Sequence, residues 1–250
     1  MKDEAEFMDF FEMADDDMLL PEDTGGLQLY LDSADPDHWE RLLPLGVFRG
    51  VTTNPVLLER AGQACTLANL ETLVRRAVDL GCGEIHLQTW GRTPEEMIHH
   101  GSQLALMAGL GIATLVKIPC TTAGLQVAEK LAASGCRITL TGIFNPAQVV
   151  LAAGFDADYA APYLGRLNDA GRDGPATVRA MHDILRKSGS RTRLLVASLR
   201  HADQVWGLAA QGLDTFTLNA AVMAELLTEP LTATAAADFQ RAAEAMGGGD

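Results

Sequence analysis

The chain is poor in the features that mark several large functional classes. Its four cysteines (Cys65, Cys82, Cys120, Cys136) show neither a CxxC pair nor a histidine-matched spacing, so they read as reduced, small core residues rather than zinc ligands. Cys120, three residues after Lys117, reads as a buried neighbour. No apolar run approaches the roughly 18 residues that a membrane-spanning helix needs. The N-terminus is acidic and lacks the apolar centre of a signal peptide, so the expected location is cytoplasmic. Basic residues are scarce: 19 Lys and Arg stand against 33 Asp and Glu, a formal charge of −14. That balance disfavours nucleic acid and anionic membranes as partners. It leaves room for a small phosphorylated substrate, which needs only a local basic cluster. No glycine-rich dinucleotide fingerprint follows the first apolar segment, where Asp32-Ser33-Ala34-Asp35 stands instead. Of the six histidines, only His86 falls on a predicted strand. With no second histidine or carboxylate at ligand spacing, it reads as a satisfied core or rim residue, and no metal site is expected.

What is present is a long, regular alternation within 250 residues, a length that suits one α/β barrel or two small domains. Residues 1–26 stand apart. They hold ten acids against Lys2, most of the net charge, mixed with Phe7, Phe10, Phe11, Met13 and Met18, and close on Gly25-Gly26. Charge repulsion predicts a mobile acidic tail there, with an amphipathic docking segment as the alternative. From Leu27 onward, short apolar runs read as buried parallel strands: 27–32, 50–54, 84–89, 114–119, 137–141, 158–162, 194–198 and 215–218. Amphipathic stretches of helical length lie between them, among them 66–80, 93–110, 121–134, 175–187 and 202–210, several followed by a glycine stop. Eight strands, each followed by a helix, predict a single (β/α)8 TIM barrel over 27–250, with an extra C-terminal helix near 233–246.

In such a barrel the strands should be apolar, and the informative exceptions are polar residues at their C-terminal ends, where the active-site mouth lies. Strand 1 closes with Asp32, strand 2 with Thr52, Thr53 and Asn54, strand 3 with Gln88 and strand 5 with Thr141. Tyr163 and Arg166 follow strand 6, and strand 7 ends at Ser198 with Arg200 just beyond. Any one of these could be a helix cap or a rim residue. Together they converge on one mouth. Lys117 is the sharpest exception, because it interrupts the apolar strand Ala-Thr-Leu-Val-Lys-Ile-Pro, where an unpaired ammonium is costly to bury. Pairing with a carboxylate would explain it structurally. The functional alternative is an amine kept uncharged by desolvation and able to attack a ketone, with Asp32 as acid or base across the mouth.

Several segments then resemble one family in order and spacing. They are Leu29-Tyr30-Leu31-Asp32-Ser33-Ala34-Asp35, Gly50-Val51-Thr52-Thr53-Asn54-Pro55 and Val116-Lys117-Ile118-Pro119 with Thr121, Gly124 and Leu125. Thr139-Leu140-Thr141, Ala161-Pro162-Tyr163-Leu164-Gly165-Arg166 and Ala197-Ser198 complete the set. The resemblance is to the transaldolase family, in particular its short bacterial branch containing fructose-6-phosphate aldolase, and it spans about 27–246. It implies a Schiff-base enzyme without a cofactor, in which Lys117 forms the imine with the donor ketone. Asp32 would take the proton of the hydroxyl whose carbon–carbon bond breaks. Thr52 and Asn54 would bind donor hydroxyls, and Gln88, Thr141 and Tyr163 would hold the proton-shuttling water. Arg166 and Ser198, with Arg200, would bind the sugar phosphate.

Within the family, Gln at position 88 and Tyr at 163 resemble the aldolase branch, which cleaves fructose 6-phosphate to dihydroxyacetone and glyceraldehyde 3-phosphate. Gly165 and the segment 168–174 look more like true transaldolases of the pentose phosphate pathway, which pass the dihydroxyacetone unit to an acceptor. A non-catalytic barrel that binds sugar phosphate or a partner is the reading from another class. The resemblance also implies a homo-oligomer, decameric or pentameric.

Overall fold

The computed structural model describes residues 26–248, so all but the last residue of the acidic segment 1–26 lies outside the described residues. The apolar runs form eight parallel strands. These are β1 (Gln28–Asp32), β2 (Gly50–Thr52), β3 (Glu84–Gln88), β4 (Ala113–Pro119), β5 (Arg137–Ile143), β6 (Tyr159–Pro162), β7 (Arg193–Leu194) and β8 (Thr215–Leu218). Each pairs with its sequence neighbour, and β1 also pairs with β8. The remaining seam, between β7 and β8, is closed just past the end of β7. There Val196 bridges Phe216, with Val196 N donating to Thr215 O at 3.0 Å and Val196 O accepting from Thr217 N at 3.0 Å. The sheet is thus a (β/α)8 barrel with no open edge.

Helices return the chain between strands: α1 (Pro36–Leu42), α2 (Pro55–Arg60), α3 (Leu67–Asp79), α4 (Pro94–Leu106), α5 (Thr122–Ala133), α6 (Pro146–Phe155), α7 (Leu164–Asp169), α8 (Gly174–Ser188), α9 (Ala202–Ala209) and α10 (Ala220–Leu227). Their apolar stripes follow the helical period; Leu70, Leu73, Val74 and Ala77 are the buried positions of α3. The outward side chains of the strands and these stripes make the main core, including Val116, Ile118, Leu131 and Val149. A second, smaller cluster of Tyr30, Leu115, Tyr159, Ala161 and Leu195 packs inside the barrel itself.

Three departures from the sequence expectation bear on the mouth. β2 stops at Thr52, because Asn54 leaves the sheet to cap α2, its Oδ1 accepting from Val56 N (3.0 Å) and Leu57 N (3.1 Å). β5 runs on to Ile143 through a register shift at Gly142, whose φ of 68° suits a residue without a Cβ. β7 is cut short ahead of Ser198, which takes up a left-handed φ of 60°. The C-terminal helix α11 (Pro230–Ala245) starts earlier than expected and has no buried residue, leaving Leu231 79% and Phe239 74% exposed. Among the described residues, no helix is long and apolar enough to cross a membrane.

Candidate active site

The strand register carries a polar column up the inside of the barrel. At its base Glu84, fully buried, accepts from Tyr30 OH at 2.7 Å and from Arg137 Nη1 at 3.1 Å, with Arg49 Nε at 3.7 Å. His86 stands one layer higher, its Nε2 2.9 Å from Glu84 Oε1 and its Nδ1 2.9 Å from Thr139 Oγ1. Burial drives the His86 imidazole below its ordinary pKa, which favours a neutral ring donating to Glu84 and accepting from Thr139. Burial alone would raise the Glu84 carboxyl. The hydrogen bond from His86, then the Arg137 charge and the Tyr30 hydroxyl, outweigh it and hold Glu84 well below the carboxylate range. Tyr159, 2.8 Å from Tyr30 OH, is pushed up to about 12, first by burial and then by the Glu84 charge. The expectation of a satisfied core histidine matches this placement; its partner is a carboxylate two residues back on the same inward face.

Lys117 begins the next layer. It is paired in register with Gln88 on one side and Thr139 on the other, and it is 2% exposed. Among the described residues it has no carboxylate within ion-pair distance and no hydrogen bond. The structural explanation that the sequence left open, a buried lysine matched to a carboxylate, is therefore absent. Instead Lys117 lines a cavity of about 330 Å³ at the C-terminal ends of the strands.

Asp32 lines the same cavity from β1. Its Oδ1 accepts from Thr52 Oγ1 at 2.8 Å. Burial raises the Asp32 carboxyl above its ordinary range, against the opposing pull of the Lys117 charge, the Thr52 hydrogen bond and, last, Arg60. Asn54, Tyr163, Arg166, Ser198 and Arg200 complete the expected residues on the cavity wall.

Three expected residues do not line it. Thr52 is fully buried, and its hydroxyl lies between Asp32 and Thr217 Oγ1 (2.6 Å), so it bonds the carboxylate instead of facing the cavity. Thr141 sits behind Tyr163, hydroxyl to hydroxyl at 3.0 Å. Gln88 lies beside Lys117 in the strand register. Asn54 spends its carbonyl oxygen on the α2 cap, which leaves its amide NH₂ for the cavity.

The far wall is built around Ser198. A left-handed conformation costs a non-glycine residue roughly 1–3 kcal/mol and tends to gather at functional sites. Gly165 lets α7 pack against Ser198: Gly165 N donates to Ser198 O at 2.9 Å, and a Cβ at position 165 would fall 2.4 Å from that oxygen. Arg166, in α7, lies over the Tyr163 ring, 5.1 Å from its centre. Arg200 is held by Asp169 across the rim. Sequence reading missed Arg60 and Asn219 on this cavity. Asn219 caps α10 and donates from Nδ2 to Leu199 O at 3.0 Å, fixing the Ser198–Arg200 loop. Among the described residues, no group of three His, Cys, Asp or Glu side chains is placed to hold a metal ion.

The family model described as Transaldolase/Fructose-6-phosphate aldolase matches residues 29–247. A probable transaldolase of Anaeromyxobacter dehalogenans is 34% identical over 82% of this chain and 91% of its own length. One from Aquifex aeolicus is 32% identical over 82% of this chain and 91% of its own. Among solved structures, YagE, a prophage protein of the dihydrodipicolinic acid synthase family from E. coli K12 in complex with pyruvate, superposes with a TM-score of 0.57. It is 14% identical and covers 78% of this chain and 70% of its own, a likeness of fold alone. With nearly every residue from β1 to α11 inside the matched span, the chain belongs to the transaldolase/fructose-6-phosphate aldolase family and is a transaldolase-type, Schiff-base-forming enzyme.

Proposed function

We propose that the protein cleaves and forms the C3–C4 bond of fructose 6-phosphate, with Lys117 as the Schiff-base nucleophile. The observation that carries this is Lys117 itself: a buried amine without a carboxylate partner, on the wall of the cavity that Asp32 also lines. The amine adds to the C2 ketone, and loss of water gives the iminium. Asp32 takes the proton of the C4 hydroxyl as the C3–C4 bond breaks, and the electron pair moves into the iminium to give an enamine. Glyceraldehyde 3-phosphate leaves. The enamine is protonated at C3, and hydrolysis of the imine frees dihydroxyacetone and the amine.

Tyr163, on the cavity wall, holds the water and carries the protons of imine formation and hydrolysis; Thr141 serves by fixing the phenol from behind, and Gln88 stands beside Lys117 in the strand register. Asn54 binds a donor hydroxyl through its amide NH₂, and Thr52 serves by holding Asp32. Arg166 and Ser198, with Arg200 at the rim, bind the phosphate; guanidinium and hydroxyl donors suit a dianion. No prosthetic group enters these steps. The cytoplasm is the proposed location. The proposed assembly is a homo-oligomer, supported by the exposed Leu231 and Phe239 of α11.

The competing reading is transfer of the three-carbon unit to an acceptor aldehyde, favoured by the names of the relatives above and by the resemblance of Gly165 and the segment 168–174 to that branch. Both activities share every step up to the enamine. They part on whether it is released, and a phenol at 163 offers the proton for release that a phenyl ring cannot. The test is incubation with fructose 6-phosphate alone and then with erythrose 4-phosphate added. Glyceraldehyde 3-phosphate formed without acceptor supports the aldolase; strict dependence on the acceptor overturns it in favour of transfer.

A further inference from the structure

Most arginines of this acidic chain meet a carboxylate: Arg75, Arg76, Arg137, Arg179, Arg191 and Arg241 all do. The arginines of the cavity divide differently. Arg200 is paired with Asp169. Arg60 and Arg166 have no carboxylate within ion-pair distance and no hydrogen bond among the described residues, Arg166 resting only on the Tyr163 ring. Arg60 is the last residue of α2 and Arg166 lies within α7, and both line the cavity that holds Lys117 and Asp32. The strands that lead into these helices, β2 and β6, stand on opposite sides of the eight-strand ring. Two unmatched guanidiniums thus face one cavity of about 330 Å³ from opposed walls, a volume that suits a single small sugar phosphate. Arg60 also reaches far enough inward for its charge to act on the Asp32 carboxylate.

We propose that Arg60 is a specificity-determining residue that engages the substrate's phosphate from the α2 wall while Arg166 holds it from the α7 wall. This rests on the Schiff-base reading above and deepens it. A dianion presented to two guanidiniums is neutralised from both sides, whereas a neutral aldehyde gains nothing from either. The cavity therefore selects phosphorylated over neutral substrates, and Arg60 sets part of that ratio. Sequence periodicity hides it, since an arginine in the last turn of a short helix reads as an ordinary favourable contact with the helix dipole.

The experiment measures kcat/KM for aldol addition of dihydroxyacetone to glyceraldehyde 3-phosphate and to glyceraldehyde, in the wild type, Arg60→Ala and Arg60→Lys. In Arg60→Ala the phosphorylated-to-neutral ratio falls about tenfold, mainly through KM, the scale of one charge-assisted hydrogen bond at a wet rim. Arg60→Lys keeps more than half of the selectivity on a logarithmic scale. Inorganic phosphate, as a competitive inhibitor, binds more weakly to Arg60→Ala by a similar factor. A ratio and a phosphate inhibition constant unchanged in Arg60→Ala overturn the proposal, as does an equal loss with both aldehydes. Borohydride trapping of dihydroxyacetone on Lys117 separates the two levels: trapping retained with unchanged selectivity sinks the role of Arg60 alone, and trapping absent sinks the Schiff-base reading.

Discussion

Asp32 carries the clearest pH signature of any single residue. In the proposed cleavage it must be ionised to accept the C4 hydroxyl proton, and burial raises its carboxyl above the ordinary range of about 4. On acidification kcat/KM should therefore fall at a pH above that range, with a slope of one proton. Asp32→Asn should lose on the order of 100-fold or more in cleavage while still forming the imine at Lys117. A cleavage rate unchanged down to the pH of an exposed carboxylate would contradict its role as base. At this scale much was legible in the sequence. Lys117 was conspicuous because an apolar strand has no other use for an ammonium. Arg60 was not, because its proposed role depends on a cavity formed with five other segments. Asn54 was legible as a residue of the mouth, where it lines the cavity, but its helix cap was not: its carbonyl oxygen accepts from α2, and only the amide NH₂ is spare.

Elements set the precision of the mouth. α7 can approach the β7 loop only because position 165 has no side chain; a Cβ there would lie 2.4 Å from Ser198 O and 2.7 Å from Arg200 Nε. Gly165→Ala should displace both residues and raise KM for fructose 6-phosphate about tenfold, with dihydroxyacetone trapping less affected. Equal losses in both assays would mean that the loop does not serve the phosphate. Below the mouth, β3 couples stability to acid through Glu84 and His86. As pH falls through about 6.5, the unfolded chain protonates its imidazole while the buried His86 resists, so the unfolded state binds more protons and stability declines. The contribution of Glu84, whose folded pKa is depressed, is complete above about 4.3 and is lost as pH falls below that. Both effects act in the same direction. His86→Gln should flatten the decline in Tm between pH 7 and 5, and a slope equal to that of the wild type would refute the assignment. Strand positions were readable from alternation alone, but this ladder was not. Period-two spacing puts Glu84 and His86 on one face without saying that Tyr30, Arg137 and Thr139 arrive from other strands to satisfy them.

At the scale of the whole molecule, the barrel brings Asp32 and Lys117, 85 residues apart in sequence, to one cavity. Strand count, order of helices and the added C-terminal helix were all written in the hydrophobic pattern, because parallel strands need covering on both faces. Assembly was not. α11 buries none of its side chains in one chain, and the proposed homo-oligomer accounts for Leu231 and Phe239. Sedimentation at micromolar concentration should give a mass several times 26.7 kDa, and a monomer there would remove that explanation. The central claim concerns one covalent bond, and trapping it is the most direct test. Dihydroxyacetone and borohydride should add one reduced three-carbon unit, mapped by mass spectrometry to the peptide containing Lys117 and missing in Lys117→Met. An adduct on another lysine, or Lys117→Met turning over at the wild-type rate, would contradict the account.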